Sequence, residues 1–187
     1  MRVMGIDPGT AIVGYSIVDI EKGKYHLIDY GCIFTEQDLA MPRRLEIIFQ
    51  RLDTIIKLYK PTEVAIEELY FFKNQKTVIK VGQARGVIVL VCQLNGLEIF
   101  DYTPLQVKMG VASYGRATKK QIQEMVKLIL NLDEIPKPDD AADAIAIAIN
   151  HINNRNIPTN NVGKIRKNTI KMGTKISIEE YKKLINK

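Results

Sequence analysis

Apolar residues recur along this chain first with the spacing of strands and then with the spacing of helices. Residues 2–7 form a short apolar run that ends at Asp7, and Pro8-Gly9 turns the chain at once. Residues 12–20 and 25–34 are rich in Ile, Val, Tyr and Phe, with the hairpin-like stretch 21–24 between them, so the chain is predicted to open with three strands in a meander. From Pro42 the period becomes helical: Leu45, Ile48, Phe49, Leu52, Ile55 and Ile56 fall on one face. Pro61 ends that helix, and residues 63–67 predict a brief strand. Residues 77–95 predict a long helix closed by Gly96, and 97–101 a fifth strand. Thr103-Pro104 opens a short helix and residues 119–130 supply another. Pro136 and Pro138 precede the last, over 139–152.

The order β-β-β-α-β-α-β-α-α-α describes an α/β domain over residues 1–153. Its mixed five-stranded sheet has a three-strand antiparallel meander plus parallel strands, flanked by helices. The opening meander excludes a doubly wound sheet. Inside the 77–95 helix, Gly82 and Gly86 each lower helix propensity by about 1 kcal/mol, and their spacing lets another backbone approach. Residues 154–187 change character, with Asn154, Asn156, Asn160, Asn161 and Asn168 and many Lys. They are expected to form a flexible basic arm, with a capping box at Ser177-Ile178-Glu179-Glu180 starting a short helix.

Charge sharpens this division. Residues 154–187 carry nine Lys/Arg against two Glu, whereas 1–153 carry 18 Lys/Arg against 19 Asp/Glu. Within the domain, residues 73–120 hold Lys73, Lys76, Lys80, Arg85, Lys108, Arg116, Lys119 and Lys120 against only Glu98 and Asp101, which marks a candidate polyanion-binding face. No run of 18 apolar residues occurs. Arg2 is followed directly by Val-Met-Gly-Ile-Asp rather than a signal-like apolar stretch, so a soluble cytoplasmic protein is expected. Cys32 and Cys92 lie in separate apolar segments, as reduced core thiols do, with no zinc spacing.

Four carboxylates carry the candidate chemistry. Asp7 and Glu67 each end an apolar strand, and Asp140 and Asp143 lie three apart on one face near the start of an apolar helix. Alone, Asp7-Pro8-Gly9 is a turn, and Asp140 is a first-turn residue favoured by the helix dipole. Glu67 after Val-Ala-Ile and Asp143 among alanines resist such readings, because carboxylates in apolar settings are costly without a positive partner. The sequence offers no obvious buried Arg or Lys for them, and a hard divalent cation is the expected counter-charge: Mg2+ or Mn2+, as a single ion or as two close ones, with two per subunit expected. Such a site points to hydrolysis of a phosphodiester by water, with Lys108 or Lys119 neutralising charge that builds on phosphorus. Asp139 reads as a helix-start residue rather than a ligand. His151 stands about 16 Å along the helix from Asp140, too far to share a metal, so it and His26 read as structural.

Gly5-Ile6-Asp7-Pro8-Gly9-Thr10 with Gly14-Tyr15, Ala65-Ile66-Glu67-Glu68, Lys73-Asn74, Gly82-Gln83-Ala84-Arg85-Gly86, Gln106-Val107-Lys108 and Asp140-Ala141-Ala142-Asp143-Ala144 together closely resemble the RuvC-type Holliday junction resolvases, in the right order over residues 1 to about 153. The resemblance implies a ribonuclease H-like fold and a Mg2+-dependent endodeoxyribonuclease. It also implies a homodimer that nicks four-way DNA junctions in symmetric pairs during recombination and repair, beside a branch-migration helicase complex. It carries the catalytic and metal-binding carboxylates onto Asp7, Glu67, Asp140 and Asp143, the basic residues near the scissile phosphate onto Lys108 and Lys119, and a base-stacking aromatic onto Tyr70. With Tyr70, the DNA contacts are expected among Lys73, Lys76, Lys80, Arg85, Arg116 and Lys120.

Three rivals are weaker. The Asp7 turn also resembles that of actin-like and sugar-kinase ATPases, but those need a second such domain, and 187 residues hold one copy of the motif. A ribonuclease H uses a similar carboxylate set on RNA–DNA hybrids. A binding module that had lost catalysis would not keep all four carboxylates.

Overall fold

The computed structural model describes residues 1–68 and 75–156, apart from the side chains of 75–77 and 156. The chain divides into two compact units, Met1–Ile157 and Pro158–Lys187, and the described strands and helices belong to the first. Tyr70, Lys73, the Lys76 side chain and the capping box at Ser177 lie outside the described residues.

The strands are β1 (Arg2–Asp7), β2 (Ile12–Glu21), β3 (Lys24–Phe34), β4 (Glu63–Glu67) and β5 (Glu98–Tyr102). The helices are α1 (Met41–Tyr59), α2 (Gln75–Leu94), α3 (Pro104–Ala112), α4 (Lys119–Ile129) and α5 (Asp139–Asn156). The sheet order is β3-β2-β1-β4-β5; β2 is antiparallel to both β1 and β3, while β4 is parallel to both β1 and β5. The mixed sheet expected from the sequence is the one found. The hairpin closes tightly through Lys22 and Gly23, both at positive φ, as a two-residue turn demands. α5 continues to Asn156, past the expected domain end at 153.

Period-two alternation assigns the two faces of the sheet. Met4, Ile6, Val13, Ile17, Val64 and Ile66 pack with Ile48, Leu52, Ile56, Ala84, Ile88 and Val91 of α1 and α2. On the other face, Ala65 joins Val107 and Val111 of α3, Ile122 and Val126 of α4, and Ile145, Ala146, Ile147 and Ile149 of α5. Val3 and Val18 meet Ala148 and Ile152 there as well. Thr103 and Thr118 start α3 and α4 with full capping boxes to Gln106 and Gln121. Gly82 and Gly86 of α2 are exposed, and a Cβ on either meets nothing within 4 Å, so no other part of the described chain makes the close approach their spacing permits.

Candidate active site

Register puts the first two carboxylates side by side. β1 and β4 pair in parallel with Val3 opposite Glu63 and Ile6 opposite Ile66, so Asp7 and Glu67 come one step later at the same sheet edge. Gly5 and Ala65 face α5, and residues two further along a strand share that face, so Asp7 and Glu67 point toward α5 too.

Glycine brings α5 down onto them. A Cβ on Gly5 would lie 2.0 Å from the Ala144 carbonyl oxygen, and one on Gly14 would lie 2.0 Å from that of Asp140. Only glycine fits at either position, since the atom met is backbone and cannot swing away. Ser16 Oγ donates to the Ala144 carbonyl oxygen at 2.9 Å and ties the helix to the sheet. α5 thereby presents Asp140 and Asp143 on the side of Asp7 and Glu67. The sequence alone did not reveal the role of Gly14 and Ser16. The signal available was Ala141, Ala144 and Ala148 at helical spacing, a small-residue face that needs an equally small partner.

The electrostatics stem from this convergence. Burial, reinforced by the charges of Glu67, Asp143 and Asp140, pushes the Asp7 carboxyl up to about 7. Burial and the Asp143 charge raise Glu67 to about 7, against the pull of Lys119 and Lys108. Asp143 is raised as well, mainly by burial, with Lys119 opposing. These groups repel one another and lack solvent, so they favour any positive charge among them.

Part of that charge is already present, which corrects the expectation that no Lys stands beside the carboxylates. Lys119 Nζ lies 2.8 Å from Asp143 Oδ2 and 3.4 Å from Asp139 Oδ2. Burial alone would lower its pKa, but the hydrogen bond and charge of Asp143 outweigh it and hold the ammonium protonated. Asp139 also accepts from Gln123 Nε2 at 3.0 Å, so it ties α5 to α4, in line with its reading as a helix-start residue. Glu67, Lys108, Lys119 and Asp143 line a cavity of about 200 Å3 floored by Val107, Ile122, Ala146 and Ile147.

As a donor set for a metal, the four carboxylates fit a hard cation: all donors are oxygen, and the raised pKa values of Asp7, Glu67 and Asp143 register the missing counter-charge. Their side chains are not drawn together to ligand distance. Among the described residues no three His, Cys, Asp or Glu are grouped closely enough to hold an ion.

Of the other cations expected to meet DNA, Arg85 is engaged within the chain. Its Nη2 pairs with Asp101 Oδ1 at 2.6 Å, linking α2 to β5 rather than standing ready for a ligand. Glu98 pairs with Arg155 at 3.4 Å. The two acids of the basic segment are thus engaged locally. Lys80, Arg116 and Lys120 are exposed, and none of the three forms an ion pair among the described residues. Cys92 is buried and Cys32 half-buried, both free thiols.

The family model described as crossover junction endodeoxyribonuclease RuvC matches residues 3–151. The crossover junction endodeoxyribonuclease RuvC of Fusobacterium nucleatum is 56% identical over 193 residues, covering 100% of both chains. That of Finegoldia magna is 55% identical over 152 residues, 81% of this chain and 93% of its own. The former alignment therefore spans residues 154–187 as well. Among solved structures, T. thermophilus RuvC in complex with Holliday junction substrate superposes with a TM-score of 0.79 at 31% identity, over 85% of this chain and 98% of that one. The yeast mitochondrial Holliday junction resolvase shares the fold, with a TM-score of 0.62 at 14% identity, over 81% of this chain and 78% of its own.

Proposed function

The chain belongs to the RuvC family of crossover junction endodeoxyribonucleases, and from that premise we propose how its own residues resolve a four-way DNA junction. The family's nucleases are divalent-metal-dependent. The observation that carries the proposal is the convergence of Asp7, Glu67 and Asp143 at one sheet edge, with Asp7 and Glu67 held near pKa 7 by burial and by their neighbours.

Asp7, Glu67, Asp140 and Asp143 hold the metal. With oxygen donors only, the ion is Mg2+ or Mn2+, and four carboxylates accommodate two per subunit. When bound, the metal supplies the counter-charge that these groups lack and Lewis-acid activation for hydrolysis of a phosphodiester. Asp7 and Glu67 carry protons near neutrality in the metal-free chain and release them on binding it. The Lys108 and Lys119 side chains line the cavity beside Glu67 and Asp143. Their ammonium groups meet the negative charge that grows on the phosphate oxygens in the transition state. Lys80, Arg116 and Lys120 bind the DNA backbone with Lys73 and Lys76, and Tyr70 stacks on bases at the junction.

Paired nicks call for two sites. A four-way junction has two-fold symmetry, so a homodimer with one site per subunit meets it with matching symmetry. Ile79, Gly82, Gly86, Leu90 and Leu94 make an exposed stripe along α2 at helical spacing, which supports that helix as the dimer face. No helix among the described residues is long and apolar enough to cross a membrane. The cytoplasm, work beside a branch-migration helicase complex, and a division between a nuclease domain and a basic arm beyond it complete the reading.

The test is nicking of a labelled immobile four-way junction by the purified protein, with Mg2+ and with EDTA, beside linear duplex and an RNA–DNA hybrid. Symmetric, metal-dependent cuts at the junction are the expected result. Cleavage of the hybrid alone would overturn the substrate and leave the carboxylate site standing.

A further inference from the structure

Around a fully buried histidine, a second group of ionisable side chains links the start of β4 to α5 and β5 without serving the chemistry of the metal site. His151 on α5 is fully buried. Its Nε2 lies 2.6 Å from Glu63 Oε2 at the start of β4, and its Nδ1 lies 2.8 Å from the Tyr102 hydroxyl at the end of β5. The neutral ring that satisfies both partners donates from Nε2 and accepts at Nδ1. The Phe100 ring packs on the imidazole at 4.5 Å between centroids. Arg155, one turn on, closes the group. Its Nη2 donates to Glu63 Oε1 at 2.7 Å, and its guanidinium covers Phe100 at 4.8 Å.

The position of this pair matters because β4 and α5 both run to the catalytic edge. Four strand residues separate Glu63 from Glu67, about 13 Å. Eight helical residues separate His151 from Asp143, about 12 Å. The two elements run in opposite directions, so these lengths are two sides of one frame, with the Glu63–His151 bond as one end and the carboxylates as the other. Between the ends, α5 lies on Gly5 and Gly14 through Ala141, Ala144 and Ala148. That seam sets how deep the helix sits, but small smooth residues interlock weakly along the axis. Lys119 and Gln123 hold the start of α5 to α4, Ser16 ties Ala144 to β2, and Asn153 bonds Tyr25 and the Gly110 carbonyl, but the direct side-chain bonds from α5 to β4 are those that Glu63 makes at the far end.

We propose that Glu63 and His151 form a positioning pair that fixes the axial register of α5 against β4, and through it the placing of Asp140 and Asp143 opposite Glu67. The inference rests on the metal-nuclease reading of the carboxylate site. Burial lowers the His151 pKa against the opposing pull of Glu63, while Arg155 holds Glu63 low, in keeping with a neutral imidazole on an ionised carboxylate.

The test uses the full chain with His151→Leu, which removes the donor, His151→Gln, which keeps an amide N–H near the place of Nε2, and Glu63→Gln as a second, milder route. Cleavage of a four-way junction is measured at saturating DNA, well below each variant's Tm. Junction affinity is measured in EDTA, and Mn2+ binding to the DNA-free protein is followed by electron paramagnetic resonance. His151→Leu is expected to lower kcat about tenfold or more, since misplacement by about an ångström has that scale of effect. It should also weaken Mn2+ binding and leave junction affinity unchanged, with His151→Gln restoring both losses. If His151→Leu or Glu63→Gln lowers only Tm while kcat and Mn2+ binding match the unsubstituted protein, the pair is merely structural and the inference is wrong. Failure of the parent reading looks different, because the unsubstituted protein itself would then leave junctions intact.

Discussion

Asp7 is the residue on which the chemistry turns. It sits at the centre of the sheet edge, and its carboxyl, like that of Glu67, is pushed up to about 7. Asp7→Asn is expected to abolish junction cleavage while leaving junction binding in EDTA nearly unchanged, as judged by gel shift beside a nicking assay. A carboxyl whose folded pKa lies above its unfolded value favours folding at low pH. That contribution is full below about pH 4 and is lost as pH rises through about 7. The metal-free protein should therefore lose stability over that range through Asp7 and Glu67. His151 works the other way below about 6.5, since burial lowers its pKa. The clean comparison is with Asp7→Asn, whose Tm should fall less between pH 5 and 7.5. Millimolar Mg2+ at pH 7.5 should raise the unsubstituted Tm more than that of the variant. Equal metal effects on both would remove Asp7 from the ligand set. Lys119→Ala should slow cleavage by a factor of about ten or more, the order of one electrostatic contact to a transition state. A rate equal to that of the unsubstituted protein would leave Lys119 as a tie between α4 and α5 only.

At the scale of elements, the site depends on a helix laid on glycine. A methyl group at Gly14 would drive into the Asp140 carbonyl, so Gly14→Ala must lift α5 at the very residue that is to hold metal. Overpacking of this kind costs about 1–3 kcal/mol, readable as a lower Tm, and the cleavage rate should fall more steeply than stability does. A variant that melts early but cleaves normally below its Tm would show that α5 tolerates the shift. The hydrophobic period made the elements legible in advance, with ends displaced by a residue or two except at α5, which runs four residues past its expected end at 152. The strand pairings were legible in part: a meander of three strands is implied by a short loop, whereas the place of β1 between β2 and β4 is written in no local pattern. The start of α3 was announced by Thr103-Pro104, whereas the capping box of Thr118 and Gln121 that opens α4 emerged only in the structure. The glycine contacts were not announced either, because a glycine in a strand looks the same whether it opposes solvent, a bulge or a helix.

At the scale of the whole molecule, the proposed dimer and the C-terminal arm are each open to test by a single change. A Cβ at Gly86 of α2 would meet nothing within 4 Å among the described residues, and a glycine in a merely solvated helix would gain stability of about 1 kcal/mol on replacement by alanine. A bulkier change there, Gly86→Leu, should instead convert a dimer to a monomer in sedimentation and uncouple the paired nicks. An unaltered dimer would move the interface to another face. The C-terminal residues call for a cut placed by structure rather than by composition. Arg155 belongs to α5 and holds Glu63 at 2.7 Å, so removal of residues 158–187 should preserve folding and cleavage, whereas removal from 154 should destabilise the domain. If the arm contacts phosphate, the shorter protein will also show a shallower dependence of DNA affinity on salt. An unchanged slope would mean that it does not.

The sequence by itself determined the types and order of the elements, the four acidic positions and the concentration of cations between residues 73 and 120. Each of these rests on local period, local breakers or residue chemistry, which a linear text carries in full. Only the tertiary structure decided that Lys119 stands on Asp143, that Arg85 is taken by Asp101, and that His151 is bonded to a glutamate 88 residues away. The physical reason is the same in all three cases. Charge and hydrogen-bond partners are chosen by distance in space, and distance in space is set by how a helix and a sheet pack, which no run of neighbouring residues records.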